Sequence, residues 1–425
     1  MTALLYLGTL LAAMAMGMPI AFALLVCAIA LMLQLGEFSA QTLAQNMVGG
    51  TDNFVLLAVP FFILAGEFMN CGGLSKRIVA MIMAWFGHIR GGLGYVAIVA
   101  AILMASVSGS AVADTAALAA LLVPMMRSGG YNVPRAAGLI AAGGIIAPVI
   151  PPSIAFIIFG VVGGVSITKL FIAGIVPGVL MGVALLVVWA VISRRETATV
   201  APRQLLPTRL RALAEGGWAL GLPVIIIGGL KAGIFTPTES AIVAAAYALF
   251  VGAVIYRELT WKAVYHALLA TAKTTSVVMF LVAAAVVSTY LITIADIPGQ
   301  LSTLLEPLLD RPKLLLAAMM GIVLIAGMMM DFIPLMLILT PVLLPLCKDA
   351  DIDPVYFGVL FIINGAIGMI TPPVGVVLNV TCGVAKVSFE DLIRGIWPFL
   401  AAELAVLVAL LIFPDLVTAP LKWFF

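Results

Sequence analysis

Charge is scarce in this 425-residue chain: only 9% of its residues are Asp, Glu, Lys or Arg, while 64% are hydrophobic. A water-soluble domain carries about 25% charged and about 45–50% apolar residues. No soluble fold has the interior to hide this much apolar surface. Mean hydropathy is +1.26, and apolar runs recur along the whole length, so the membrane domain is the protein. Cysteine is also rare. Cys27, Cys71, Cys347 and Cys382 form no C-x-x-C pair, which speaks against a disulfide or zinc framework. The two histidines, His88 and His266, lie far apart and make no metal cluster. A net charge of +2 gives no basic surface for nucleic acid. There is no G-x-x-x-x-G-K-[ST] phosphate loop, no H-E-x-x-H and no G-x-S-x-G, so neither ATP-driven work nor an intramembrane hydrolase is indicated.

What the chain has is long apolar runs, each near the roughly 20 residues a spanning helix needs. The N-terminal run, Met1 to Leu33, lacks a basic start and predicts a first membrane span rather than a signal peptide. Further spans are expected over 54–69, 93–105, 170–192, 218–230, 241–256, 274–295, 314–330, 355–369 and 396–413. That makes roughly ten to twelve spans plus half-spans. The most polar stretch, Ser193–Glu215, carries Arg194, Arg195, Arg203, Arg209 and Arg211 against Glu196 and Glu215. The positive-inside rule makes it cytoplasmic.

That loop separates two related halves. Pro124, Pro151, Pro152 and Pro177 recur as Pro345, Pro372, Pro373 and Pro398, each 221 residues on. Gly144 maps onto Gly365, and Gly174-Ile175 onto Gly395-Ile396. The expected organisation is a first repeat over 1–195, a cytoplasmic linker over 196–215 and a second repeat over 216–425. Internal repeats are a hallmark of secondary transporters. The residues leave open whether the repeats are parallel or inverted.

Within each half an apolar run is interrupted twice. The first half has Ser106–Thr115 (SVSGSAVADT) and Gly143–Ser153 (GGIIAPVIPPS); the second has Gly327–Pro334 (GMMMDFIP) and Asn364–Gly375 (NGAIGMITPPVG). A double proline removes two amide donors and clashes with the preceding turn, freeing carbonyls that can cage a hard monovalent cation. Nearby half-helix N-termini point amides at an anion. One such motif alone points rather to kinked close packing; two matched pairs favour an ion site. Asp114 and Asp331 sit in apolar surroundings, where a carboxylate is costly and points to function, unless it lies at a wetted hairpin tip. Together with Ser110, Ser153 and Asn364 they are the candidate substrate-binding residues. Glu67, Glu239 and Asp296 are expected to be interfacial or structural. The 21 methionines are expected to fill core gaps.

The motifs resemble those of a known family. Pro60–Glu67 (PFFILAGE), Gly72–Leu74 (GGL), Arg90–Leu93 (RGGL), Ser108–Ser110 (SGS), Ile150–Ser153 (IPPS), Leu170–Gly178 (LFIAGIVPG) and Thr236–Ala241 (TPTESA) are similar, in order and over nearly the whole chain, to the large membrane subunit of TRAP (tripartite ATP-independent periplasmic) transporters. Ala147-Pro148 departs from the family's Gly followed by an apolar residue. The resemblance implies an all-α polytopic protein of the ion-transporter superfamily. It would have two inverted repeats with re-entrant helical hairpins and discontinuous helices, and an elevator-type transport domain moving against a scaffold. It implies no cofactor, and Na⁺ as coupling ion at two sites, mostly through main-chain oxygens. One site would use Ser106, Ser108, Ala147, Ile150 and Pro152; the other Gly327, Gly368, Thr371 and Val374. It further implies location in the bacterial inner membrane, a separate four-helix small subunit, a periplasmic binding protein and an organic anion as cargo. That cargo would be a sugar acid or dicarboxylate, with similarity to permeases for keto-sugar acids such as 2,3-diketo-L-gulonate. A stand-alone carrier of the same superfamily is the alternative.

Overall fold

In lipid a backbone must satisfy its own hydrogen bonds, which an apolar chain does by forming helices. The computed structural model describes residues 2–194, 202–297, 299–300, 306–309 and 311–424, and no strand occurs among them. Arg195 and Glu196 of the polar stretch lie outside the described residues. Among the described residues eight helices are long and apolar enough to cross a membrane, with shorter ones between.

The first half runs α1 (Thr2–Ala15), α2 (Ile20–Leu35), α3 (Ala40–Thr51), α4 (Ala58–Cys71, entered through a 3₁₀ turn at Phe54–Leu57), α5 (Leu74–Phe86), α6 (Gly92–Ser108), α7 (Ala111–Ser128), α8 (Val133–Gly144), α9 (Ile154–Gly163) and α10 (Ile167–Ser193). The second half runs α11 (Leu206–Lys231), α12 (Pro237–Phe250, continued by a π turn at Val251–Ile255) and α13 (Trp261–Ile294). After a single turn at Glu306–Leu309 come α14 (Pro312–Gly327), α15 (Phe332–Asp349), α16 (Pro354–Gly368), α17 (Val376–Ala385), α18 (Phe389–Ile412) and α19 (Asp415–Phe424).

The structure corrects three sequence-based expectations. The N-terminal run is two helices, not one span: Gly17 adopts φ 78° and Pro19 lacks an amide to continue a helix, so α2 folds back on α1. The polar stretch is not loop throughout, because α11 starts at Leu206 and carries it as helix to Glu215. There Arg209 is buried, with its guanidinium 3.3 Å from His88 Nδ1. The span expected over 274–295 begins at Trp261, making a 34-residue helix.

The 221-residue shift is visible in the helices themselves. Ala111–Ser128 and Phe332–Asp349 coincide end to end under it, and α6, α8, α9 and α10 fall on α14, α16, α17 and α18. The chain from α3 through α4 falls on the single helix α13, and α2 on α12. Contacts between halves are reciprocal. Helix α7 packs on α17 while α9 packs on α15; α8 packs on α18 while α10 packs on α16; α2 packs on α13 while α12 packs on α4. Reciprocal contacts of this kind are the signature of a two-fold relation. Small residues permit the closest approach: a Cβ on Gly138 would lie 2.9 Å from the Ile396 backbone, and one on Gly395 would lie 2.5 Å from Pro134 O. Two groups of helices result. One contains α1–α5 with α11–α13, the other α6–α10 with α14–α19. The core is deepest in the second group, where every residue of α16 from Val355 to Gly368 is buried.

Candidate cation and substrate site

Four helix interruptions meet between these groups. Helix α6 ends at Ser108, the chain turns at Gly109 (φ 62°), and the Ser110 side chain caps α7 by accepting from Ala113 N–H at 3.4 Å. Helices α6 and α7 pack side by side, so Ser108–Ser110 is a hairpin tip. Helix α8 stops at Gly144, and Pro148, Pro151 and Pro152 keep the next residues non-helical. Ser153 then caps α9, accepting from Phe156 N–H at 3.4 Å while donating to Pro148 O at 2.6 Å. The second half repeats the plan. Gly327 and Asp331 flank the second tip, with Asp331 accepting from Phe332 N–H at 2.8 Å. The chain from Met369 to Gly375 separates α16 from α17. The Pro151–Pro152 and Pro372–Pro373 peptides are both cis.

Each tip rests on the break of its own half. A Cβ on Gly109 would lie 3.0 Å from Pro152 O and 3.3 Å from Ser153 Cα. A Cβ on Gly368 would lie 2.8 Å from both Cα and C of Gly327, and Val374 N–H donates to Met328 O at 3.3 Å. The structure thus brings Gly109, next to Ser108, up to Pro152, and Gly327 and Met328 up to Gly368 and Val374. Ser106, Ala147 and Ile150 are buried in the first half. The Ser106 hydroxyl donates to Leu103 O at 2.7 Å, which leaves its oxygen lone pairs free. Thr371 closes the second break, its hydroxyl donating to Ile367 O at 2.7 Å and its amide to Gly368 O at 3.0 Å.

A cavity of about 340 Å³ opens beside both tips. First-turn residues of three helices wall it: Ala111–Ala113 of α7, Ile154 and Ala155 of α9, and Phe332 and Ile333 of α15. The opposite wall is Ile63, Gly66, Glu67 and Asn70 of α4 with Thr274 and Val278 of α13. No Lys or Arg occurs among the described lining residues; Glu67 and Asp331 supply the only acidic side chains there. First-turn amides and the positive ends of three helices therefore provide the anion-binding potential.

Of the expected substrate residues, Ser110 and Asp331 line this cavity and the other three do not. Ser153 is fully buried against Pro148 O, and Asn364 is fully buried, donating to Met320 O at 2.5 Å. Asp114 is 1% exposed and accepts the Ser108 hydroxyl at 2.5 Å; it lies behind the tip, not at a wetted one. Sequence reasoning missed Asn70 and Thr274 and set Glu67 aside. The available signal was that Glu67 is the one charged residue in α4. Glu239 is structural as expected, completing a capping box with Thr236.

Residues 7–416 match the family model described as "Tripartite ATP-independent periplasmic transporter, DctM component". The 2,3-diketo-L-gulonate TRAP transporter large permease protein YiaN of Escherichia coli (strain K12) is 58% identical over 423 residues, covering 100% of both chains. The sialic acid TRAP transporter large permease protein SiaM of Vibrio cholerae is 39% identical over 94% of this chain and 93% of its own. Among solved structures, the Alcanivorax borkumensis YdaH transporter superposes with a TM-score of 0.63, covering 90% of this chain and 88% of its own at 16% identity. That likeness is one of fold.

Proposed function

Because the chain belongs to the DctM component family of tripartite ATP-independent periplasmic transporters, we propose that it is the large permease subunit of a Na⁺-driven importer of a small organic acid in the bacterial inner membrane. The observation that carries this reading is the cavity itself: three helix N-termini face one chamber, and each hairpin tip lies on an unwound segment. Unwound carbonyls for Na⁺ and helix ends for a carboxylate are the recurring transporter arrangement. One Na⁺ would be held by Ser106, Ser108, Ala147, Ile150 and Pro152, the other by Gly327, Gly368, Thr371 and Val374. The acid would lie against the first turns of α7, α9 and α15. The 58% identity to the E. coli permease makes 2,3-diketo-L-gulonate the favoured cargo, within the wider class of sugar acids and dicarboxylates.

Transport would be of elevator type, with α6–α10 and α14–α19 moving as a body against α4 and α13. An inverted relation of the repeats supports this. With α14–α15 re-entrant and α16–α17 crossing as one broken helix, the chain from the end of α10 to the end of α18 would cross by α11, α12, α13, α16–α17 and α18. Equivalent ends would then fall on opposite sides. With the arginine-rich stretch cytoplasmic, the cavity lies against the cytoplasmic end of α4, an inward-facing arrangement. A small membrane subunit and a periplasmic binding protein complete the system.

The test is uptake of labelled 2,3-diketo-L-gulonate into proteoliposomes. Accumulation should require the chain, its small subunit, the binding protein and an inward Na⁺ gradient. Uptake by the chain alone would identify a stand-alone carrier instead, and uptake indifferent to Na⁺ would overturn the coupling.

A further inference from the structure

We propose that Asp114 is a positioning residue for the first cation site, acting through the Ser108 hydroxyl. The inference rests on the Na⁺ reading above and goes beyond its ligand set. A serine hydroxyl has one proton and two lone pairs. Here the proton goes to Asp114 Oδ1 at 2.5 Å, and Ser110 N–H takes one lone pair at 3.2 Å. One lone pair is left, on a residue that lines the cavity next to the Gly109–Pro152 junction. A cation needs a ligand that presents a lone pair, not a proton. Without an acceptor behind it, the Ser108 hydroxyl would turn its proton to the carbonyls of the break, the same oxygens a cation requires. The surroundings of the carboxylate fit this role, since Asp114 is buried and its second oxygen, Oδ2, has no hydrogen-bond partner. A buried carboxylate left short of partners is costly, and a cation seated one hydroxyl away offsets that cost. At the equivalent positions of the second half stand Leu335 and Met329, so the device belongs to the first site alone.

The experiment uses the reconstituted transporter with its partner subunits and compares Asp114→Asn, Ser108→Ala and the double variant. Asp114→Asn should raise the Na⁺ concentration for half-maximal uptake by about tenfold or more, as expected for losing a charge-assisted hydrogen bond. Substrate KM at saturating Na⁺ should move less than about twofold. Ser108→Ala should do the same, and the double variant should be no worse than either single one, because both break one chain of contacts. A second readout is the Na⁺-specific rise in Tm of the purified chain, with K⁺ as control; it should shrink in step. Wild-type Na⁺ response in Asp114→Asn, or additive losses in the double variant, would overturn the proposal. If Asp114→Asn does not fold, Ser108→Thr, which keeps the hydroxyl, should retain the Na⁺ response that Ser108→Ala loses; equal loss in both would sink it. Wild-type uptake and Tm that ignore Na⁺ would instead overturn the coupling reading on which the inference stands.

Discussion

At the scale of single residues, one glycine governs how the second tip meets its break. Gly368 faces Gly327 backbone at a separation that a Cβ would cut to 2.8 Å, and backbone cannot swing aside as a flexible side chain can. Gly368→Ala should therefore pry the second tip off its break and reduce uptake more than about tenfold, while Gly383→Ala, with nothing within 4 Å, should transport normally and gain helix stability. Initial-rate assays on both variants check this. Thr371 donates its proton to Ile367 O and so keeps lone pairs for an ion. Thr371→Ala should raise the Na⁺ concentration for half-maximal uptake several-fold, and an unchanged Na⁺ curve would remove Thr371 from the site. The identity of these residues was legible in the sequence because glycine, proline and hydroxyl side chains in apolar runs stand out. Their orientation was not. Ser153 and Asn364 looked like ligands, yet the Ser153 hydroxyl donates to Pro148 O and the Asn364 amide to Met320 O, which leaves the buried Asn364 Oδ1 without a hydrogen-bond partner. Glu67 reads in sequence as interfacial or structural, and only tertiary packing brings it to the cavity.

At the scale of elements, boundaries set by backbone chemistry could be foreseen. Pro354 opens α16 just after Asp353, whose carboxylate accepts from Val355 and Tyr356 N–H at 2.7 and 2.9 Å. Removing such a cap costs about 0.5–2 kcal/mol. Asp353→Ala should lower the Tm of the purified chain while leaving uptake per folded molecule near wild type, since the cap lies at the far end of α16 from its break. Boundaries governed by tertiary contact were less visible. The arginines of Leu206–Glu215 suggested a solvated loop, but the segment is the first third of α11, held where Arg209 meets His88 and where Tyr256 donates to Glu215 O. The split between α1 and α2 was within reach, because Gly17 and Pro19 mark it, but hydropathy alone overrode that punctuation.

At the scale of the whole molecule, the duplicated halves differ in how one long helix is built. The first half breaks its long helix at Asp52 and Asn53, between α3 and α4; the second runs through the equivalent Lys273 and Thr274 as continuous α13. In an inverted pair, the outward-facing state exchanges the roles of equivalent residues. The wall now made by Glu67, Asn70, Thr274 and Val278 would pass to Ser288, Leu291, Asn53 and Leu57. A cysteine-free chain carrying Asn53→Cys with Ser110→Cys should therefore cross-link while cycling and stop transporting once linked; failure to cross-link during active uptake would refute the exchange. The chamber also has a consequence for fidelity. Its described walls hold two carboxylates and no basic side chain, so an acid arriving unaccompanied meets repulsion that helix ends alone must counter. The two sodium ions proposed above would tip that balance. Backflow of stored cargo down its own gradient would then be restrained by the field inside the chamber, with no separate latch required.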